Sequence, residues 1–190
     1  ERFEQAQAAA AVIRAAGYEA IGFDHFAKPT DSLASAARQG RLHRNFQGYT
    51  TDDATALLGF GASAISRFPQ GYLQNTVPTS NYQQQVANEG AAVARGYRFT
   101  EDDRIRGHVI ERLMCDFAVS LQEVKVRYGS AAAEIMAQII SFADQDRDNL
   151  TSFDGDRLAV TPQGRAFVRS VAAAFDAYLP ADQARYSTAV

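Results

Sequence analysis

From residue 100 onward, apolar side chains recur at helical spacing, and one short hairpin signal interrupts them. Thr100-Glu101-Asp102-Asp103 opens the first helix, placing acids where the helix dipole favours them. Ile105, Val109, Leu113, Met114 and Phe117 then fall on one face. Ser120 with Glu123 forms a capping box for a second helix, which Gly129 stops. A third helix carries Ile135, Ile139 and Phe142. Leu150–Phe153 and Arg157–Val160 flank an Asp154-Gly155 turn and read as a β-hairpin. Thr161-Pro162 starts a last long helix with Phe167, Val171, Phe175 and Tyr178 on its apolar face. Helices with one apolar face each must bury those faces against one another and the hairpin.

Three helices, a hairpin and a closing helix predict a winged-helix-like arrangement. The preceding part has a different character, and the boundary is expected near residues 95–100. Residues 1–16 are Ala-rich and helix-forming, with Gly17 where a C-terminal cap belongs. Tyr18–Phe23 has a strand's length and ends in Asp24-His25-Phe26. Helix, glycine, strand and a polar strand end make half of an α/β repeat, where chemistry gathers at the strand's carboxyl end. Pro29 breaks the chain, and Asp31 or Ser32 caps a short helix ending before Gly40. Residues 41–51 show no clean period and read as a loop or edge segment. Leu57–Ser66 reads as a buried strand running into small residues, Tyr72–Val77 as another short strand, and Ser80 as the cap of a helix to about Asn88.

Composition excludes several functions. Cys115 is the single cysteine of 190 residues, so no disulfide forms within the chain. Cysteine-held zinc or iron–sulfur sites need three or four thiolates. Residues 1–99 carry nine basic and eight acidic side chains, and residues 100–190 carry ten and fourteen. That acidic balance is wrong for a nucleic-acid binder. No apolar run is long enough for a membrane span, and the first residues lack the form of a signal peptide. A cytoplasmic location is expected. Without an initiator Met, the sequence reads as the tail of a longer protein.

Candidate chemistry concentrates in the first half. Asp24 and His25 offer a polar pair, with His25 as a donor or proton carrier, against the plainer reading of a hydrogen-bonded loop pair. Lys28, Arg38, Arg41, His43 and Arg44 cluster locally and suit carboxylates or phosphates. Asn45, Phe46, Gln47 and Tyr49 follow at once and add a flat apolar surface. Gly59-Phe60-Gly61-Ala62-Ser63 lacks the Gly-Lys-Ser/Thr ending of a phosphate loop. Cys115 reads as a buried or half-buried small hydrophobe, and His108 as solvent-facing.

Three strings carry a family resemblance. They are Gly22-Phe23-Asp24-His25-Phe26-Ala27-Lys28-Pro29, Leu42-His43-Arg44-Asn45-Phe46-Gln47-Gly48-Tyr49-Thr50-Thr51, and Leu58-Gly59-Phe60-Gly61-Ala62-Ser63-Ala64-Ile65-Ser66. With Asp103–Arg106 and Val109–Cys115, they resemble the bacterial oxygen-independent coproporphyrinogen III oxidases, radical S-adenosylmethionine enzymes of haem synthesis. The His-Arg-Asn-Phe-Gln-Gly-Tyr-Thr-Thr string separates these from the paralogous haem chaperones. The family's Cys-x3-Cys-x2-Cys cluster motif has no counterpart here, so the chain resembles a C-terminal portion.

The resemblance implies an α+β chain. Residues 1–97 would be the last segments of a (β/α) radical S-adenosylmethionine barrel with a connecting region, and 98–190 a mostly helical, winged-helix-like domain. It implies two S-adenosylmethionine molecules and a 4Fe–4S cluster in the parent oxidoreductase, with the cluster ligands outside this chain. The reaction implied is oxidative decarboxylation of two propionates of coproporphyrinogen III to vinyls, giving protoporphyrinogen IX. By motif matching, Phe46, Gln47 and Ile65 would lie against the second S-adenosylmethionine. His43 and Arg44 would suit the propionates of the substrate. The catalytic residues are not identified, and no metal ligand is expected in the chain. Partners would be the substrate, S-adenosylmethionine and an electron donor, with neither nucleic acid nor membrane. The parent would be a monomer and this chain alone inactive, while exposed strand edges would let the isolated chain self-associate. The alternative is a non-catalytic binding module, either a haem-handling paralogue or a winged-helix interaction domain.

Overall fold

The structure, a computed structural model, describes residues 1–179. It divides into two compact units: residues 1–51 together with the chain from Arg104 onward, and Asp52–Asp103.

In the first unit, α1 (Arg2–Ala15) leads into β1 (Glu19–Ile21). β1 turns at once into β2 (His25–Ala27), and the two pair antiparallel, Ile21 opposite His25. The polar residues at the end of the first strand therefore sit in a tight turn. α2 (Ser32–Arg38) starts as the sequence predicts, with Asp31 Oδ1 accepting from the Leu33 N–H at 2.8 Å. Residues 41–51 are not a plain loop. β3 (His43–Arg44) and β4 (Tyr49–Thr50) form a minimal hairpin, too short to show alternation.

The second unit is built on an antiparallel sheet of order β5-β6-β7, comprising Ile65–Phe68, Gly71–Asn75 and Val93–Arg98. α3 (Thr79–Glu89) joins the last two strands. Leu57–Ser66 is not a continuous buried strand. Leu57 makes a single bridge to Arg67, and Leu58 and Phe60 are exposed. Side chains take the loop's backbone groups before a ladder can form. Ser66 Oγ accepts from the Gly59 N–H at 3.0 Å, and Asn75 Nδ2 donates to the Gly59 and Gly61 carbonyls.

α4 (Glu101–Asp116) opens on a reciprocal cap. The Asp103 N–H donates to Thr100 Oγ1, and the Thr100 N–H donates to Asp103 Oδ2. β8 (Ala118–Ser120), α5 (Leu121–Tyr128) and α6 (Ala133–Gln145) follow. β9 (Thr151–Phe153) and β10 (Arg157–Val160) form the expected hairpin, and β8 adds to it to give a sheet of order β8-β10-β9. The last helix is shorter than its apolar pattern suggests. Thr161 Oγ1 accepts from the Gly164 N–H, a 3-10 turn spans Gly164–Phe167, and α7 covers only Val168–Ala173. Val168, Val171 and Phe175 are buried, but Tyr178 is exposed.

The core collects the faces read from the sequence: Ile105, Val109, Leu113, Val124, Ile135, Ile139, Leu158 and Phe175. A smaller cluster of Ile21, Ala27, Ala34, Ala36, Leu42, Tyr49 and Cys115 lies beside α4. His108 is buried rather than solvent-facing. It stands three positions after Ile105, on the same helical stripe, and its ring meets Tyr128 edge-on at 5.7 Å. Among the described residues no helix is long and apolar enough to cross a membrane.

Phe175→Ala is expected to cost about 3–5 kcal/mol in urea unfolding, because a fully buried ring leaves a cavity. Burial holds His108 below its ordinary value of 6.5, and the neighbouring Arg127 adds to the effect. The unfolded chain thus binds this proton more readily than the folded one. The stability from His108 is present above pH 6.5 and is lost as pH falls through its folded value. Unfolding midpoints measured across that range should therefore slope less steeply in His108→Gln.

Candidate functional site

The Tyr49 hydroxyl organises the polar side of the first unit. It donates to the Met114 carbonyl at 2.9 Å and accepts from the Phe23 N–H at 2.9 Å. Met114 is in the last turn of α4, where carbonyls have no partner within the helix. One buried side chain thus satisfies a helix end and fixes the β1–β2 turn. Burial pushes the Tyr49 hydroxyl above its usual range, so it stays protonated and can donate. Gly22 is required at that turn: a Cβ there would lie 2.0 Å from the Tyr49 ring, and its φ is +56°.

The two polar motifs meet around this ring. His25 packs against Tyr49 edge-on at 5.1 Å, and its Nδ1 lies 2.7 Å from Asp24 Oδ1. Arg169 Nη2 donates to Asp24 Oδ2 at 3.2 Å. Arg44 lies over the same ring, its guanidinium carbon 4.9 Å from the centroid. Arg44 Nε is buried without a hydrogen-bond partner. His43 Nδ1 lies 3.3 Å from Glu111 Oε1 on α4.

Phe46 and Gln47 occupy the tip of the β3–β4 hairpin, and both are exposed. Asn45 builds the turn, its Oδ1 accepting from the N–H groups of Gln47 at 2.8 Å and Gly48 at 3.2 Å. His25 packs beneath it: a Cβ on Gly48, whose φ is +149°, would come within 2.9 Å of His25 Nε2. The tip therefore presents an aromatic face and an amide that can donate and accept, held from below by a rigid polar cluster.

The basic cluster is only partly gathered. Arg38 pairs with Glu19, and Arg41 Nη2 and Nε both donate to Gln39. Arg44 is left facing the Tyr49 ring. Ile65 stands in the other unit, on β5, opposite Gln74 of β6, which is in turn opposite Arg95 of β7. Cys115 is buried, and burial pushes its thiol up to about 12, which makes it a packing residue. Among the described residues no group of three His, Cys, Asp or Glu side chains could hold a metal ion.

Sequence reading missed Glu111, Arg112 and the bridging role of Tyr49. Arg112 donates to the Leu42 carbonyl at 2.9 Å and pairs with Asp116 at 2.6 Å. A charged residue beside an apolar helical stripe carried no signal that it would anchor a segment 70 residues away.

Residues 99–167 match the family described as HemN C-terminal domain. The whole chain is similar to an oxygen-independent coproporphyrinogen III oxidase of Bradyrhizobium diazoefficiens, 47% identical over 189 residues that make up 42% of that protein. A counterpart from Salmonella typhimurium is 45% identical over 86% of this chain and 36% of its own length. The solved structure described as coproporphyrinogen III oxidase (HemN) from Escherichia coli, a radical SAM enzyme, superposes with a TM-score of 0.84. It is 41% identical, and the match covers 91% of this chain and 40% of that one. The chain spans about two fifths of the length of the curated relatives it matches.

Tyr49→Phe should cost about 1–3 kcal/mol in chemical denaturation, because it leaves the Phe23 N–H and the Met114 carbonyl without their buried partner. The His43–Thr50 segment thus forms a hairpin built around one tyrosine, and by sequence and by fold the chain is similar to about two fifths of the oxygen-independent coproporphyrinogen III oxidases.

Proposed function

We propose that this chain forms one wall of the cofactor and substrate site of a coproporphyrinogen-oxidising, S-adenosylmethionine-dependent oxidoreductase of porphyrin synthesis. The observation that carries the reading is the exposed Phe46-Gln47 tip, held by Asn45, Gly48, His25 and Tyr49, in a chain 47% identical to such an enzyme. Residues 1–97 are read as the terminal part of the barrel with its connecting region, and 98–190 as a winged-helix-like domain. The order α4-β8-α5-α6-β9-β10 with sheet order β8-β10-β9 supports the second assignment. The last residues of that range lie outside the described ones.

Phe46 and Gln47, with Ile65, would hold S-adenosylmethionine. An exposed ring, a free amide and a branched aliphatic side chain fit a ligand that is part apolar and part hydrogen-bonding. The residues present do not fit an iron–sulfur cluster, since the one thiol is buried and protonated. The cluster and its ligands are assigned to the rest of the enzyme. When bound there, the two cofactors supply the one-electron chemistry by which the propionates of coproporphyrinogen III lose carbon dioxide. Arg44, rigid over Tyr49, would pair with a propionate, and His43 would orient beside Glu111. The enzyme is assigned to the cytoplasm, with a separate electron donor, and this chain alone is expected to be inactive.

In a cluster-containing enzyme carrying this sequence, Gln47→Ala should weaken S-adenosylmethionine binding and lower turnover about tenfold or more, the loss of one well-placed polar contact. Equilibrium dialysis and anaerobic turnover check this together. Unchanged affinity and unchanged turnover would remove Gln47 from the site.

A further inference from the structure

The sheet of the second unit carries Arg67, Arg95 and Arg98, and no acidic residue stands in its three strands. Residues directly opposite one another share a face. Ile65, Gln74 and Arg95 therefore form one cross-strand row, and Arg67, Tyr72 and Tyr97 form the next row of the same face. Arg95 stands two strands from Ile65, about 10 Å away at Cβ.

Arg95 is oriented without being neutralised. Its Nε donates to Gln74 Oε1 at 2.7 Å. Gln74 Nε2 in turn donates to the Ser63 carbonyl at 3.1 Å. Ser63 holds a left-handed backbone, φ +61°, uncommon for a residue with a side chain. Its N–H is pinned to the Thr76 carbonyl at 3.0 Å. The relay fixes the guanidinium plane and uses only Nε. Nη1 and Nη2 stay available as a fork, and no carboxylate among the described residues pairs with Arg95. Beside it, Tyr72 packs edge-on against Phe99 at 4.7 Å and adds a flat apolar surface on the same face.

We infer that Arg95, positioned by Gln74, is a carboxylate-binding residue of the site that Ile65 lines, an inference that rests on the reading of Ile65 given above. A preorganised, unneutralised guanidinium fork beside an aromatic face binds a carboxylate bidentately. Two ligands of this enzyme class bring one: a propionate of the tetrapyrrole, and the amino-acid end of S-adenosylmethionine.

The test uses the cluster-containing enzyme and three probes: coproporphyrin III, its tetramethyl ester, and S-adenosylmethionine. Arg95→Gln should weaken binding of one carboxylate-bearing probe roughly tenfold to a hundredfold. Binding of the ester should not change, and Arg95→Lys should restore part of the loss. Loss confined to coproporphyrin III identifies the propionate as the ligand, and loss confined to S-adenosylmethionine identifies the amino-acid carboxylate. Equal affinities of wild type and Arg95→Gln for both acids, with turnover retained, would overturn the inference while leaving the oxidase reading intact. If the wild type itself neither bound the probes nor turned over, the oxidase reading would fail before any variant was made.

Discussion

A buried hydroxyl must find partners or destabilise the fold, and the first unit is arranged around how Tyr49 finds its two. Its donor hydrogen goes to a carbonyl that the end of α4 leaves unused, and its lone pair takes an N–H that the β1–β2 turn leaves unused. Each partner would otherwise be an unpaired backbone group in a poorly hydrated place. The ring also determines what surrounds it. Gly22 must be glycine so that the ring can pass, His25 lies against its edge and Arg44 against its face.

α4 is the other side of this arrangement. One stripe, with Ile105, Val109 and Leu113, belongs to the larger core. A neighbouring stripe, with Glu111, Arg112 and Cys115, faces the segment around residues 40–49. Arg112 reaches the Leu42 carbonyl, Glu111 meets His43, and Cys115 fills the small apolar cluster. Short strands of two or three residues cannot hold a hairpin tip in place by their own ladders. The helix supplies the rigidity they lack, so an exposed tip can be both accessible and well positioned.

Legibility along the chain followed the number of residues that shared a pattern. The helices α4, α5 and α6 and the β9–β10 hairpin were readable because each repeats a period or carries a cap. Ser120 does accept from the Glu123 N–H at 3.1 Å, for example. The β3–β4 hairpin was not readable, because two residues per strand give no alternation. Leu57–Ser66 misled because its apolar residues look buried, while side-chain hydrogen bonds from Ser66 and Asn75 hold the backbone out of a ladder. His108 misled because a titratable residue on an apolar stripe can be covered by the next helix, here with Tyr128 and Arg127.

The sequence alone determined the helices α4, α5 and α6, the β9–β10 hairpin, the packing role of Cys115 and the likeness to the coproporphyrinogen III oxidases, because these depend on local periodicity and residue identity. The tertiary structure decided which side chains became anchors. Tyr49, Glu111 and Arg112 gain their roles from partners between 26 and 70 residues away. Such pairings form only when a helix end, a turn and a hairpin meet in space. The physical reason is that an unpaired buried polar group is costly wherever it lies in the chain, so its partner is chosen by proximity in the fold, not by distance along the sequence.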